Sequence, residues 1–468
     1  MIPYGGANTA EGASNVARWQ QANIPAQGAE NGWLLASGSD ITCLTTDNIG
    51  ILYAGVTGMP SNLYKSADEG KSWQAIGNGT DEIIAMVTAA DNTLYYATAY
   101  NIYKCIGDSN FMVCTITGRF ASPDTVISSI DVSTYRGNHA VLVGTKNQNC
   151  GQFGGIYVIY CDVLMQWQDL GLAGCDVYSV AFSPHFSDDN SVVALASNEN
   201  DTFITWKEGS SEWGGNIGNA LFQDSSTGNP VPVTETAQIA FPDDYSQDIN
   251  SGNCILYAAL NTGTNGGDVY IVYGRNKPEQ SVAEDLNIAA SYGHDNIDIT
   301  VLDLCGSIGD ISLMAGTAEG NSIYIGSDDG GIWRQSKKSP SGDAVTALAM
   351  PAGYKNNGKA YCATTGYDSA FSVSFDRGIN WNQCGLIDTT VDAIIEAAVS
   401  PRYDFDETLF LLTWGNEYSI WRSGDGCKSW QRIFSGSSGN FISIDKIALS
   451  PQYENGSRVL YFCGSEDG

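Results

Sequence analysis

A short pattern of serine, aspartate, glycine and tryptophan constrains the fold of this sequence more than any other feature. The segment YKSADEGKSW, residues 64–73, contains its first copy. Serine and aspartate side chains accept hydrogen bonds from backbone N–H groups about two residues ahead, and glycine adopts a positive φ without strain. The tryptophan supplies a large apolar face and one N–H donor. The pattern therefore predicts a tight turn between two strands, in which every residue has a structural role.

The same spacing occurs three times along the chain, so chance does not explain it. In the third copy Cys427 stands where the other two copies have glycine, and we expect that turn to be distorted or to use Gly426 instead. The residues of the pattern are Ser66, Asp68, Gly70 and Trp73, then Ser374, Asp376, Gly378 and Trp381, and finally Ser423, Asp425 and Trp430.

Two further elements recur upstream of this turn and define a longer repeat. Segments such as AVSPRY and ALSPQY precede it, and their prolines, Pro401 and Pro451, follow Pro351 at fifty-residue intervals. An aromatic residue followed by a base, as in Trp421-Arg422, marks the strand that enters the turn. The runs are short, rich in β-branched and aromatic residues, and separated by Gly, Asn, Asp and Ser. Each unit of roughly fifty residues therefore predicts one four-stranded antiparallel sheet.

The repeat predicts an all-β protein of eight or nine such units. Residues 1–35 form an N-terminal segment, residues 36–441 hold eight repeats, and residues 442–468 hold a partial ninth. Residues 16–25 resemble the last strand of a unit, so they are candidates to complete one mixed sheet with residues 442–468 and to protect the exposed strand edges. A fragment of a longer repeat array is the alternative. The expected unit starts are Ile41, Ile84, Ile127, Val177, Ile239, Ile297, Val345, Ile394 and Ile442.

The pattern S-x-D-x-G-x-x-W is that of the Asp-box, or BNR, repeat, so the chain resembles the broad group of Asp-box β-propeller proteins. The resemblance implies a β-propeller with four-stranded antiparallel blades. The group includes sialidases, xyloglucan-degrading glycosidases, sortilin-type receptors and photosystem assembly factors, so the motif specifies a fold and leaves the function open. In these propellers the turn lies at the blade periphery, which implies a structural role for Asp68, Asp376 and Asp425.

The charge of the chain excludes one class of partner. The 468 residues include 52 acids and 22 bases, a formal net charge of −30. Nucleic-acid binding needs a basic footprint, so nucleic acid is not expected as a partner. No apolar stretch approaches the roughly 18 residues of a transmembrane segment. The expected partners are a protein, a second copy of this chain through self-assembly, or a glycan.

Twelve cysteines bear on the cellular compartment. Their number is even, none forms a CxxC motif, and only three histidines accompany them, which disfavours a zinc cluster. Disulfide bonds in an oxidising compartment are the main prediction, with buried free thiols as the alternative. Cys105 and Cys114 flank a degenerate turn and are the first candidates for a bridge. With the glycosylation sequons at Asn78, Asn200 and Asn455, these features predict a secreted or cell-surface protein.

No cofactor is predicted, and calcium is the one ion that the sequence leaves open. The loops SPHFSDDNS, residues 183–191, and SDDGG, residues 327–331, carry several carboxylates. Such loops suit a hard cation that prefers oxygen ligands. Solvated turn acids are the alternative, so the metal-binding status is unknown at this stage.

An enzymatic function has weaker support than a binding function. A glycosidase needs two carboxyl groups across a cleft, and 52 acids offer no means of selecting a pair. A sialidase needs three arginines on the substrate carboxylate, and the segment NIPAQGAENGW lacks the arginine found near the start of sialidases. The acidic segment of xyloglucan hydrolases is not recognisable around Asp40 and Asp47. The repeat alignment leaves Trp33 and Trp213 as candidates for stacking on sugars.

We therefore expect an extracellular or cell-surface β-propeller that serves as a structural scaffold or binding module, as in a surface layer or an extracellular filament. No catalytic residue is assigned. The alternative is a glycoside hydrolase or carbohydrate-binding propeller of the xyloglucanase type. The sequence leaves open the ligand, the exact blade count and the disulfide connectivity.

Overall fold

The structure of the chain is a computed structural model. The regular elements of the described residues are strands, apart from three four-residue helices and one three-residue 3-10 turn. The described residues are 2–4, 18–29, 32–77, 79–116, 123–161, 166–198, 200–275, 281–436 and 441–466.

The strands are numbered along the chain. The first eighteen are β1 (Ile2–Tyr4), β2 (Arg18–Gln20), β3 (Asp40–Thr46), β4 (Leu52–Thr57), β5 (Leu63–Ser66), β6 (Gln74–Ala75), β7 (Ala85–Thr88), β8 (Leu94–Ala97), β9 (Asn101–Ile106), β10 (Ser109–Thr115), β11 (Thr125–Tyr135), β12 (Asn138–Asn147), β13 (Ile156–Tyr160), β14 (Gln166–Asp169), β15 (Asp176–Phe182), β16 (Ser191–Ser197), β17 (Thr202–Glu208) and β18 (Ala220–Leu221). The others are β19 (Thr236–Ala240), β20 (Ile255–Asn261), β21 (Val269–Tyr273), β22 (Val282–Asp285), β23 (Ile299–Cys305), β24 (Ser312–Thr317), β25 (Ile323–Ser327), β26 (Ile332–Gln335), β27 (Ala344–Ala349), β28 (Ala360–Thr365), β29 (Phe371–Ser374), β30 (Asn382–Gly385), β31 (Ala393–Val399), β32 (Leu409–Trp414), β33 (Tyr418–Ser423), β34 (Gln431–Ser435), β35 (Phe441–Leu449) and β36 (Leu460–Glu466). The helices are α1 (Phe186–Asp189), α2 (Tyr354–Asn357) and α3 (Tyr403–Asp406), and the 3-10 turn spans Ala290–Tyr292.

The chain divides into two compact units. The larger unit contains Ser39–Glu69 and Ala75–Trp381, and the smaller one contains Met1–Gly38, Gly70–Gln74 and Asn382–Gly468. Within the sheets of both units, neighbouring strands that are consecutive along the chain pair antiparallel, as short connections favour.

The larger unit is built from sheets in which the strand order follows the chain. The sheets β7-β8-β9-β10, β11-β12-β13-β14 and β23-β24-β25-β26 have four antiparallel strands each. Two further sets of four strands are β15-β16-β17-β18 and β19-β20-β21-β22. A single parallel pairing between Leu221 and Val282 joins them into one eight-stranded sheet. We number the repeats of this unit one to seven by their first strands, which are β3, β7, β11, β15, β19, β23 and β27.

The seven first strands contact one another in a closed cycle, in which β27 lies against β3. At this junction Thr346 Oγ1 donates a hydrogen bond to the carbonyl oxygen of Ile41. An equivalent bond joins repeats one and two, from Thr42 Oγ1 to the carbonyl oxygen of Ile83 at 2.8 Å. Four-stranded antiparallel sheets arranged radially around their first strands define a β-propeller.

A β-bulge directs these hydroxyl groups toward the next repeat. The pairing between first and second strands skips Thr42, Ser128, Thr300 and Thr346. A bulged residue is left out of the hydrogen-bond ladder, and its side chain is aimed in a new direction. Each of the four hydroxyls donates to a backbone carbonyl of the following repeat. A hydroxyl residue at the bulge is thus a local reason why the sheets lie side by side.

An aspartate at the start of the first strand provides a second bond between repeats. Asp40 Oδ1 accepts the N–H of Gly366 at 2.6 Å, and Asp176 Oδ1 accepts the N–H of Gly154 at 2.9 Å. Asp298 Oδ1 likewise accepts the N–H groups of Thr262 and Gly267 in the preceding repeat. A hydrogen bond to a charged acceptor is stronger than a neutral one, so these carboxylates help to hold neighbouring repeats together.

The core of the larger unit lies between adjacent sheets. Strand β16 is buried at all seven residues because neighbouring sheets cover both of its faces. This burial explains the continuous apolar runs of the second strands, in place of strict alternation. One cluster between repeats four and five includes Trp206, Phe222, Leu256 and Tyr270.

The smaller unit contains the sheet β30-β34-β33-β32-β31 and the pairs β1-β2 and β35-β36. Its sheet holds a buried ion pair between Arg432 and Glu417. The Arg432 guanidinium also donates to Gln383 Oε1 at 3.2 Å and to Ser419 Oγ at 3.0 Å. These bonds satisfy a charge that would be costly to bury alone.

The predicted all-β class, with four-stranded antiparallel sheets of the propeller type, is confirmed. The predicted count of eight or nine blades is not confirmed, because the cycle of first strands in the larger unit closes with seven. A closing sheet from residues 16–25 and 442–468 stays a prediction. In the described part of the chain β2 pairs with β1, and β35 pairs with β36.

Candidate functional site

All seven first strands of the larger unit line a cavity of about 790 Å3 along the axis of the ring. Backbone bulges and small residues such as Ser129, Ala181 and Ala347 leave this space open. A cavity of this volume is within the range of small-molecule binding sites. It is the main candidate site of the larger unit.

Charged groups in the cavity wall come from three repeats. The carboxylates are Glu82, Asp131 and Glu235, and Lys146 is the one base among the described lining residues. Lys146 Nζ donates to the carbonyl oxygen of Glu235 at 3.2 Å and lies 5.5 Å from the ring centre of Tyr178. The site therefore combines carboxylates, one cation and an aromatic ring.

Asp131 is a buried carboxyl group of the cavity wall with a raised pKa. Burial raises its pKa to about 6, although N–H groups of Phe182 and Val132 donate to it at 2.7 and 2.8 Å and oppose the shift. A carboxylic acid with this pKa resembles the general acid of a glycosidase. Both of its oxygens, however, are bound by backbone N–H groups.

Asp303 occupies the equivalent position in repeat six and has the same bonds. Its two oxygens accept the N–H groups of Met350 and Leu304 at 2.6 and 2.8 Å, and burial raises its pKa to about 7. The shifted pKa of Asp131 therefore follows from a structural position that recurs in the repeat. A raised carboxyl pKa in this molecule is not by itself a sign of catalysis.

The second Asp-box forms the turn that the sequence predicts. Ser374 Oγ donates to Asp376 Oδ1 at 2.9 Å and accepts the N–H of Gly378 at 2.9 Å. Asn380 donates to Asp376 through its backbone N–H at 2.9 Å and its side chain at 2.7 Å. Trp381 is buried, and its indole N–H donates to the carbonyl oxygen of Gly378 at 3.0 Å. Every polar group of the motif is used inside the turn.

The first Asp-box shows the same local bonds. Ser66 Oγ donates to Asp68 Oδ1 at 2.9 Å. Trp73 is buried, and its indole N–H donates to the carbonyl oxygen of Gly70 at 3.1 Å. Gly70 has a φ of 85°, the left-handed conformation for which glycine was predicted.

The third Asp-box keeps its bonds despite the cysteine. Gly426 and Cys427 both have a φ of 70°, so the glycine position of the motif is held by a non-glycine residue in the left-handed region. The N–H of Cys427 still donates to Ser423 Oγ at 2.9 Å, and Ser423 donates to Asp425 at 2.9 Å. Trp430 is buried. The turn is therefore strained at Cys427 and otherwise regular.

The cysteine pair proposed for a disulfide is not brought together. In the register of β9 and β10, Cys105 faces Asn110 and Cys114 faces Ile102. The two residues are thus three positions apart along the ladder, beyond the reach of a disulfide. No disulfide bond joins cysteines in the part of the chain that the structure describes.

The predicted glycosylation sites and the tryptophans proposed to stack on sugars differ in exposure. Asn200 and Asn455 are exposed, and Asn78 lies outside the described residues. Trp213 is half-buried, with its indole N–H bonded to the carbonyl oxygen of Leu170 at 2.8 Å. Trp33 is also half-buried. Neither tryptophan is among the residues that line the axial cavity.

In the two loops considered for calcium, the central carboxylates accept hydrogen bonds from other groups of the protein. Asp189 accepts hydrogen bonds from the N–H of Ser191 and the hydroxyl of Ser183. Asp329 accepts the N–H groups of Gly309 and Ile311 at 2.6 and 2.9 Å. Over the described ranges, no group of three or more His, Cys, Asp or Glu side chains is placed to hold a metal ion.

Asp40 and Asp47 also have structural bonds. Asp40 joins repeats seven and one, as described above. Asp47 Oδ1 accepts the N–H groups of Ile49 and Ile51 at 3.0 and 2.8 Å, which closes the turn after β3. Among the helices that the structure describes, none has the length and apolarity to cross a membrane.

No family model and no curated protein matches this sequence. The solved structures similar to it include YCF48 from Cyanidioschyzon merolae, with a TM-score of 0.45, 14% identity and coverage of 70% of this chain and 93% of that one. The GH74 enzyme of Niastella koreensis gives a TM-score of 0.28, 16% identity and coverage of 84% and 69%. The Cps50 β-propeller domain of Myceliophteria thermophila gives a TM-score of 0.44 and 8% identity, with coverage of 69% of this chain and 93% of that one. Likeness at this level carries no information on function.

Proposed function

We propose that this chain is a secreted or cell-surface β-propeller that acts as a structural scaffold or binding module, with a protein, another copy of the chain or a glycan as its partner. The observation that carries the proposal is the use of the recurrent acids. Asp376 closes its own turn, whereas Asp131, Asp303 and Asp40 bind backbone N–H groups of a neighbouring repeat. Each of these acids thus makes a structural hydrogen bond, within its own turn or between neighbouring repeats.

A glycoside hydrolase is the competing function, and the axial cavity is where it would have to operate. After Asp131 is assigned to the repeat, Glu82 and Glu235 are the acids of the described cavity wall that remain for chemistry. A hydrolase also needs one acid kept protonated beside a second, ionised one. Asp131, whose pKa is raised by burial, has both oxygens bound by backbone N–H groups, which favours binding over hydrolysis.

Incubation with xyloglucan, mixed-linkage β-glucan and sialosides tests this choice. We expect no release of reducing sugar or sialic acid. The same glycans, applied as an array, identify any carbohydrate that the cavity binds without cleaving. Sedimentation of concentrated protein, with and without calcium, tests assembly into larger particles.

Two variants separate the alternatives. If turnover were observed and were lost in Glu82→Gln or Glu235→Gln with unchanged melting behaviour, the hydrolase would replace the scaffold as the best interpretation. Asp131→Asn is the matched control, because it changes a carboxyl of the same cavity whose oxygens bind backbone N–H groups. We expect it to alter thermal stability and to leave glycan binding unchanged.

A further inference from the structure

A second cavity, of about 350 Å3, lies where repeat five meets the outer turn of repeat six. Its floor is one face of the β20-β21 pair. Ile255 pairs with Tyr273, and Tyr257 pairs with Ile271, so these four side chains share that face. Glu284 of β22, which pairs with Ile271, continues it. Two tyrosines, two isoleucines and a carboxylate thus form the floor of the cavity.

The opposite wall is the degenerate turn of repeat six. Here Asp328 and Asp329 both have positive φ values, 55° and 52°. The Tyr257 hydroxyl donates to the carbonyl oxygen of Asp329 at 3.0 Å, which fixes this turn to the floor of the cleft. Gly330 lies so close to Leu286, the residue after β22, that an added Cβ would be 2.8 Å from that side chain. The second Asp-box has one non-glycine residue with a positive φ, Arg377, so Asp328 is the additional left-handed residue of the turn in repeat six.

The acids of this cleft differ in what they bind. Both oxygens of Asp329 accept backbone N–H groups, whereas Glu284 and Asp328 are exposed at the cleft and make no ion pair in the described structure. Burial raises the pKa of Tyr273, and the nearby Glu284 carboxylate raises it further. The Glu284 carboxylate is thus close enough to the Tyr273 ring to act on its hydroxyl group. Arg275, exposed two residues after Tyr273, is the base whose charge opposes this effect.

We propose that this cleft binds a basic side chain, lysine or arginine, of a partner protein. The aliphatic part of such a side chain packs on Ile255 and Ile271, and its cationic group lies between the Glu284 and Asp328 carboxylates. A tyrosine ring face adds a cation–π contribution. The chain's net charge of −30 favours the approach of a basic partner. This site is separate from the axial cavity and goes beyond the scaffold role proposed above.

The probe is the peptide acetyl-Gly-Arg-Gly-amide, with acetyl-Gly-Gln-Gly-amide as its neutral counterpart. Dissociation constants are measured by ligand-observed NMR in 150 mM NaCl, where nonspecific attraction to an acidic protein is screened. We expect the arginine peptide to bind at least about tenfold more tightly than the glutamine peptide. Equal affinity of the two peptides would overturn the proposal.

Variants locate the binding site. Glu284→Gln with Asp328→Asn should abolish the difference between the peptides, and Ile255→Trp should do so by filling the cleft while both acids remain. Glu212→Gln with Asp404→Asn removes the same charge from two other exposed positions and should leave the affinity unchanged. Melting temperatures confirm that each variant is folded. The proposal fails if the control pair loses as much affinity as the cleft pair, or if the cleft variants bind normally.

Discussion

The outer turns of repeats six and seven share an aspartate, a glycine and a tryptophan at the same spacing, although repeat six has Gly326 in place of the serine, and their carboxylates bind different groups. In repeat seven Asp376 accepts the backbone N–H and the side-chain amide of Asn380 and closes its own turn. In repeat six the equivalent residue is Asp328, and the carboxylate that follows it, Asp329, reaches outside the turn to the N–H groups of Gly309 and Ile311 in the loop that joins β23 and β24. Between these two turns, the hydrogen bonds of the carboxylates are therefore the part that differs.

The tryptophan is the constant part. Trp381 and Trp333 both donate their indole N–H to a glycine carbonyl three residues earlier, at 3.0 and 2.8 Å. Their burial differs, since Trp381 is 1% exposed and Trp333 is half-buried. The turn of repeat six therefore keeps the local bond of the motif and lacks part of its packing. The cleft proposed to bind a basic side chain lies beside this less packed turn.

Removal of the two tryptophans should give the largest difference between the turns. Trp381→Ala is expected to lower the free energy of unfolding by about 3–5 kcal/mol, because it leaves a cavity in a closed core. Trp333→Ala should cost roughly half as much, since part of the site is open to water. Denaturant unfolding of both variants measures the two losses. Equal losses would show that the two turns are packed alike.

The second prediction concerns the bonds of Asp329. Asp329→Ala removes the acceptors of two backbone N–H groups, and we expect a loss of about 1–3 kcal/mol in the free energy of unfolding. Hydrogen exchange should accelerate at Gly309 and Ile311. Asp376→Ala is the control and should leave exchange in that loop unchanged. Fast exchange in both variants would mean that the loop responds to general destabilisation.

The sequence was sufficient to predict the repeat because its signals are local. The spacing of Ser374, Asp376, Gly378 and Trp381 predicts a turn whose bonds form within eight residues. The expected starts of the repeats fall in or within two residues of the first strands. Strand class and strand order follow from the same short-range information.

The blade count and the sites could not be predicted, because they depend on contacts between distant residues. The ring closes through Thr346 and Ile41, which are far apart along the chain. The sequence near Thr346 does not indicate whether the next sheet around the ring is repeat one or a further repeat. Likewise, SDDGG suggested a calcium loop, and the direction of the Asp329 carboxylate is set by the loop of residues 309–311.

The third and smallest prediction concerns the charge of Asp376. Partial burial raises its pKa, but the stronger combined effect of hydrogen bonds from Asn380 and Ser374 lowers it below the usual value. A carboxyl group with a lowered folded-state pKa stabilises the fold above its unfolded-state pKa of about 3.9, and this contribution disappears as the pH falls through the folded-state value. Because Asp376 is largely exposed, the contribution at pH 7 should be only roughly 0.5 kcal/mol.

Asp376→Asn should therefore be less stable than the wild type at pH 7, and the gap should narrow below about pH 4 and vanish near the acid end of the titration. Urea unfolding from pH 7 to pH 2 measures it. Asn380→Ala is the control, since it keeps the acid and the backbone N–H donor, removes the side-chain amide donor and should shift the transition toward higher pH. A gap that stays constant over the whole range would show that the aspartate acts through its shape, and the contrast with Asp329 would then lie in geometry alone.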